Sequence, residues 1–306
     1  MGMVVLGSVF LDIKGYPDET YIPGGRNAGR VEYVHGGVSR NIAENLGNLG
    51  LHPVFLSLVD ESAMGQEVID KLNRHGVDTR YIRKVPGGMG TWLAVFDGNN
   101  DVCASISKRP DLGPIRETIR ESGDDIFSGA DSVLLEMDMN EEIVEEVFRL
   151  SEKYGKTVYA AVSNIRLAMK YRNELQRVGC FVCNQEEAGV FFARDLSGTD
   201  PKQLAASLAD YLRDANLRSM VVTLGGRGAV WADAEGNSGV TQPQMAAVVD
   251  TTGAGDAFFT GVAAGLTYGK TLPEACEIGT RLAATVIGTL SSTFPRFRPE
   301  EFGLEK

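Results

Sequence analysis

Short apolar runs recur along the chain, at Met3–Leu6, Val54–Val59, Ser132–Leu135, Thr157–Ala161, Cys180–Cys183, Met220–Leu224 and Met245–Val249. Runs of that length without alternation predict buried strands. Between them, apolar residues fall three and four apart. Ile42, Leu46 and Leu49 share a helical face, as do Ile143, Val147 and Leu150, and Leu204, Leu208 and Leu212. Strands alternating with helices predict an α/β fold, a mostly parallel sheet covered on both faces. The 36 glycines cluster at the ends of the apolar runs, where strand-to-helix turns fall.

Two stretches break the alternation. Residues of about 12–36 are rich in Gly, Tyr and polar side chains, and residues of about 80–108 read as three strands, Tyr81–Val85, Thr91–Phe96 and Val102–Ser107. Turn residues separate those strands at Pro86-Gly87-Gly88 and Asp97-Gly98-Asn99-Asn100. A single domain over 1–306 with a small β lid built from these two stretches is the simplest organisation, because no Pro- or Ser-rich linker divides the chain.

Composition narrows the partners. At 43% hydrophobic and 23% charged, the 306 residues have ordinary soluble globular make-up. A net charge of −11 argues against a nucleic-acid binder or a polybasic membrane binder. No apolar run approaches the roughly 18–20 residues of a membrane span. The N-terminus lacks a basic leader, and Leu6 stands where a myristoylation signal needs Ser or Thr, so a cytoplasmic location is expected. Cys180 and Cys183 form a CxxC, but the odd offset puts their thiols on opposite faces of a strand, which favours structural thiols over a redox or zinc pair. His35, His52 and His75 share no ligand spacing.

The most informative chemistry lies in DTTGAGDAFFTG, Asp250 to Gly261. Gly253 and Gly255 permit close backbone approach. The amides of Gly253, Ala254, Gly255 and Asp256 would be the unpaired donors of a helix N-terminus, suited to a phosphoryl group. Asp256 in the first turn could take a proton from an attacking hydroxyl. TLGGRG, Thr223 to Gly228, is either a nucleotide-side turn or a tight strand connection. In NQEE, Asn184 and Glu187 fit a capping box or a polar pair beside Mg²⁺ and phosphates. In GGVSRN, Gly36 and Gly37 would admit a ligand, and Asn41 and Asp12 suit sugar hydroxyls. GLTYGKT is not a Walker A loop, because Ala264 stands where its first Gly belongs and a helix precedes it. No Rossmann GxGxxG opens the first strand-helix unit.

These motifs in this order resemble the ribokinase family, also called the PfkB carbohydrate kinases, over essentially the whole chain. The resemblance implies a ribokinase-like α/β core with a β lid and transfer of the γ-phosphoryl of ATP to a sugar or nucleoside hydroxyl. It implies that Asp256 is the catalytic base and that Gly253, Ala254 and Gly255 form the anion hole. Asn184, Thr223, Gly225 and Gly228 would serve ATP, and Glu187 would serve Mg²⁺ through water. Asp12, Gly36, Gly37, Arg40 and Asn41 would hold the substrate. Asp250 and Thr252, with oxygens from about 286–292, would offer a seat for a monovalent cation such as K⁺. Within the family, GGVSRNIAENLGNLG, with Arg40 before Asn41, and LLEMDMNEEIVEEV look most like the pseudouridine kinase branch. The Lys108-Arg109 run after the third lid strand is not characteristic of that branch. A plain-sugar kinase, a kinase for another nucleoside and a silent nucleoside binder are the alternatives. Related kinases often dimerise through their lids, so a homodimer through the lid is expected.

Overall fold

The computed structural model describes residues 2–97, 102–162 and 164–305. The expected turn at Gly98-Asn99-Asn100 lies outside the described residues. Among them, the strands are β1 Val4–Leu6, β2 Phe10–Pro17, β3 Gly29–Gly36, β4 Val54–Val59, β5 Ile82–Lys84, β6 Gly90–Phe96, β7 Val102–Lys108, β8 Ser132–Glu136, β9 Thr157–Ala161, β10 Cys180–Asn184, β11 Ser219–Thr223, β12 Ala229–Asp233 and β13 Ser238–Thr241. The helices are α1 Val38–Asn48, α2 Ala63–Arg74, α3 Gly113–Ser128, α4 Glu141–Lys153, α5 Ile165–Ala168, α6 Arg172–Leu175, α7 Gln185–Phe192, α8 Pro201–Ala215, α9 Ala254–Thr267 and α10 Leu272–Ile287.

The large sheet runs β13-β12-β11-β10-β9-β8-β1-β4-β5. It is parallel from β5 to β11, and β12 and β13 are antiparallel. Each face buries its own core. One core joins α3, α4 and α8 residues such as Phe127, Val147 and Leu208, and the other joins α1, α9 and α10 residues such as Leu46, Val262 and Leu282. Cys180 belongs to one core and Cys183 to the other, as their offset requires. The chain leaves β1 toward β4 on one side and returns to β8 on the other. The crevice at the carboxyl ends of β1 and β8 is therefore the topological switch point, where ligands of open α/β sheets bind.

The lid is a four-stranded sheet, β3-β2-β6-β7. Two expected elements are corrected. The Tyr81–Val85 run does not join the lid, because β5 pairs parallel with β4 and forms an edge of the large sheet. The Met245–Val249 run is not a strand. Pro243 follows β13 and removes a ladder donor, and Met245, Val248 and Val249 are 100%, 68% and 54% exposed. The 12–36 stretch is ordered as the hairpin β2–β3, so Asp12 stands within a strand and not in a turn.

Candidate active site

Gly253, at φ +82°, is the N-cap of α9, and Asp256 follows in the first turn. That is the favourable end of a helix for a carboxylate. The Asp256 carboxylate accepts a 2.6 Å hydrogen bond from the Asn41 side-chain amide. Burial pushes its pKa up to about 7, against the opposing pull of Asn41 and Arg40, and the carboxylates of Glu136 and Asp12 add to the rise. A carboxyl poised near neutrality is what a general base needs.

The loop before α9 differs in one respect from the expected anion hole. The Ala254 amide already donates to Thr251 O at 3.2 Å. The first-turn amides of Gly255 and Asp256 have no acceptor within the helix, as the geometry of any helix start dictates. A Cβ on Gly255 would meet nothing within 4 Å, so this glycine keeps space open. Gly253 serves differently, because a Cβ there would lie 2.1 Å from Ser292 O. The same distinction divides the other glycines. Gly225 and Gly226 face open space, whereas a Cβ on Gly228 would strike Thr241 O at 2.1 Å. At Gly36 the missing side chain makes room for the Asp12 carboxylate, 2.3 Å from the Cβ position, and at Gly37 for Ser8 O. These last two glycines therefore admit protein groups, not the ligand the sequence suggested.

A cleft of about 260 Å³ runs from Thr223, Gly225 and Gly228 to Ala254 and Gly255, with Val248 at its rim. The predicted nucleotide turn and the predicted anion hole thus share one groove. Asn184 and Glu187 form a complete capping box at the start of α7, with Asn184 N donating to Glu187 and Glu187 N donating to Asn184. Glu187 retains a raised pKa, first from burial and further from the charges of Asp138 and Glu186. Two carboxylates that feel each other, Glu187 and Asp138, are suitable oxygen chemistry for a hydrated Mg²⁺. Among the described residues no group of three or more His, Cys, Asp or Glu could hold a metal by itself. Arg109, at the exit from the lid, pairs with Asp138 at 2.8 Å. The Asp250 carboxylate accepts from Thr252 N at 2.8 Å, and the amides of Val249 and Asp250 donate to Ile287 O. The 250–252 turn and the end of α10 are therefore side by side.

Asp12 faces Asp256 from the lid. Its pKa is raised by burial, which Lys14 and Arg40 offset in part. Trp92 is its cross-strand partner on β6. Trp92 sits edge-on to Phe96, which stacks on Tyr16 at 4.7 Å. The Tyr16 pKa is raised by burial and by the charges of Glu32 and Asp250, so this side of the lid lies within electrostatic reach of Asp250.

Arg40 departs from its expected role as a substrate ligand. It is 1% exposed, and its guanidinium donates to Glu44, Ser292 and the His35 carbonyl. Sequence reasoning also missed Ser39 and Glu136. Ser39 Oγ donates to Glu136 at 2.8 Å and Ser8 N donates to the same oxygen, which closes the floor of the switch-point crevice. A Ser and a Glu that meet only in the fold leave no local signature.

The comparisons with known proteins fall on this geometry. The profile described as "pfkB family carbohydrate kinase" matches residues 2–297. The chain belongs to the PfkB family of carbohydrate kinases. It is accordingly an ATP-dependent phosphotransferase acting on a hydroxyl of a small molecule. It is 33% identical to the guanosine-inosine kinase of Exiguobacterium acetylicum over 289 residues, which covers 94% of each chain. It is 27% identical to the pseudouridine kinase of Escherichia coli (strain K12) over 262 residues, 85% of this chain and 82% of that one. Arabidopsis thaliana ribokinase, solved with ribose and ATP, superposes with a TM-score of 0.80 at 20% identity, covering 100% of this chain and 99% of that one. The ribokinase-like fold is thereby established. GLTYGKT joins α9 to α10, and among the described residues no helix is long and apolar enough to cross a membrane.

Proposed function

We propose that this kinase phosphorylates a ribose hydroxyl of a nucleoside. The observation that carries nucleoside over plain sugar is the aromatic row Trp92, Phe96 and Tyr16 on the inner lid face beside Asp12. A planar base has a surface to meet there, and a free pentose has none. The two relatives above are named for nucleoside substrates. Pseudouridine is the first candidate, on the GGVSRN motif. Guanosine and inosine are the second, on the 33% identity to a kinase of that name.

Asp12 and Asn41 orient the sugar, and Asp256 takes the proton as the hydroxyl oxygen attacks the γ-phosphorus. The new P–O bond forms as the bond to the β-phosphate oxygen breaks, and ADP leaves. The amides of Gly255 and Asp256 meet the negative charge on the moving phosphoryl group. Thr223 and Gly225 lie along ATP, and Glu187 with Asp138 would hold Mg²⁺ through water. When bound, Mg²⁺ neutralises the phosphate oxygens. The 250–252 turn would seat K⁺, and turnover measured with K⁺ exchanged for tetramethylammonium tests that assignment.

The lid also supports the homodimer. Tyr33, Ile13, Leu93 and Ile106 form one row across its four strands on the face away from Asp12. Tyr33 is 62% exposed and Ile106 70%. A second copy presents the same uncharged row, which is what a two-fold interface requires.

ADP release from Mg-ATP, with pseudouridine, guanosine, inosine, uridine and ribose offered separately, tests the substrate class. Release with a nucleoside and not with ribose is expected. Release with ribose at equal efficiency would discard the nucleoside reading and leave the kinase assignment intact.

A further inference from the structure

Helix α1 buries a polar stripe beside its apolar one. Arg40, Asn41, Glu44, Asn45 and Asn48 recur at helical spacing and all are at most 6% exposed. What they meet is the segment 292–294. Ser292 Oγ donates to the Asn41 side-chain carbonyl at 3.1 Å and lies 3.4 Å from the Arg40 guanidinium. Thr293 Oγ1 donates to Glu44 at 2.9 Å. Phe294 N donates to Asn45 at 3.1 Å, and Phe294 O accepts from Asn48 at 2.7 Å. Three consecutive residues are thus each gripped by a successive turn of α1.

The other side of the same segment is the wall of the anion hole, because Ser292 O fills the space a Gly253 side chain would need. Ser292 also fixes the Asn41 amide. Its hydroxyl proton occupies the Asn41 oxygen, so the Asn41 nitrogen is left to donate to Asp256. The keystone is ionic. Arg40 pairs with Glu44 at 2.7 Å, both side chains 2% exposed, and Lys71 closes on the second Glu44 oxygen at 2.9 Å. Burial would raise the Glu44 pKa, yet Arg40, Lys71 and Thr293 hold it below the usual carboxylate range.

We propose that the buried Arg40–Glu44 pair positions the catalytic base: through Ser292 and Thr293 it fixes both the Asn41 amide that holds Asp256 and the backbone wall behind Gly253. Arg40, Glu44 and Ser292 are positioning residues and touch no substrate. The assignment rests on the reading of Asp256 as the base for phosphoryl transfer. The charged and polar groups facing Asp256 are Arg40 and Asn41 from α1, Glu136 from β8 and Asp12 from β2.

The test compares wild type with Ser292→Ala, Arg40→Met, Arg40→Lys and the Ser292→Ala/Arg40→Met double variant. Ser292→Ala is expected to lower kcat roughly tenfold to a hundredfold, the scale of a small misplacement of reacting groups, with KM for ATP unchanged. Arg40→Met is expected to do the same and to move the acid limb of kcat/KM to higher pH, because a positive charge that favours the Asp256 carboxylate is gone. Arg40→Lys should restore the limb and not kcat, since an ammonium keeps the charge but lacks the fork. The double variant should lose little beyond the larger single loss. Wild-type kcat in folded Ser292→Ala, or losses that multiply in the double variant, would overturn the proposal. If Arg40→Met fails to fold, Ser292→Ala and Arg40→Lys decide. If wild type phosphorylates no acceptor, the reading of Asp256 has failed instead. ¹³C NMR titration of the Asp256 carboxyl then judges the positioning alone, with a raised pKa in Arg40→Met expected and an unmoved one contradicting it.

Discussion

Asp256 combines two demands that usually conflict. As the proposed base it must be ionised to take a proton, and in the proposed reaction a phosphoryl group brings further negative charge beside it. Burial sets its pKa near 7, and Asn41 and Arg40 keep it from rising further. Only the unprotonated form can act, so kcat/KM should fall about tenfold per pH unit below that value and level off above it. A profile flat from pH 5 to 8, at about wild-type rate, would exclude Asp256 as the base. The thiols test burial in the same way. Burial pushes Cys180 up to about 12 and Cys183 well above the usual thiol value. Both should resist a thiol reagent in the native protein and react once it is unfolded. Asp256, Asn41 and the opposed cysteines were legible because each sits in a short motif or a strand offset. Glu136 and Ser292 were not. Ser39 meets Glu136 across 97 residues and Ser292 meets Asn41 across 251, and nothing local marks either partner.

At the scale of elements, the start of α9 is where sequence and geometry agree most closely, and its two glycines separate stability from catalysis. Gly253→Ala would force a left-handed residue against Ser292 O, at a cost of about 2–4 kcal/mol and a lowered thermal midpoint. Gly255→Ala meets open space and sits in a helix, so the midpoint should hold or rise. Its methyl group would occupy the phosphoryl side, and kcat/KM for ATP should drop roughly tenfold or more. Equal midpoints for the two variants by calorimetry would contradict this division. Elsewhere the periodicity that locates α1, α4 and α8 also named the buried strands. It misplaced two runs, for different reasons. A strand-like run does not say which neighbour supplies its hydrogen bonds, and an apolar run does not by itself say that a segment is buried. Tyr81–Val85 found β4, and Met245–Val249, stopped by Pro243, found no strand at all.

For the whole molecule, the strand order puts Glu136, Asp12 and Asp256 around the switch-point crevice, with the cleft between Thr223 and Gly255, the proposed nucleotide groove, on one side and the lid above. That arrangement ties two predictions to one fold. The uncharged row Tyr33, Ile13, Leu93 and Ile106 on the outer face of the lid should bring two copies together, so light scattering should report twice the chain mass, and Tyr33→Glu with Ile106→Glu should return it to one. A wild-type monomer at micromolar concentration would remove the dimer and leave the site intact. The central claim is that the α9 N-terminus and Asp256 transfer phosphate to a nucleoside. ³¹P NMR of Mg-ATP with pseudouridine, guanosine or inosine tests it most directly. A new phosphomonoester signal is predicted with wild type, and a rate roughly 10²–10⁴ lower with Asp256→Asn. No such signal with any of the three, or an Asp256→Asn enzyme as fast as wild type, would contradict the account.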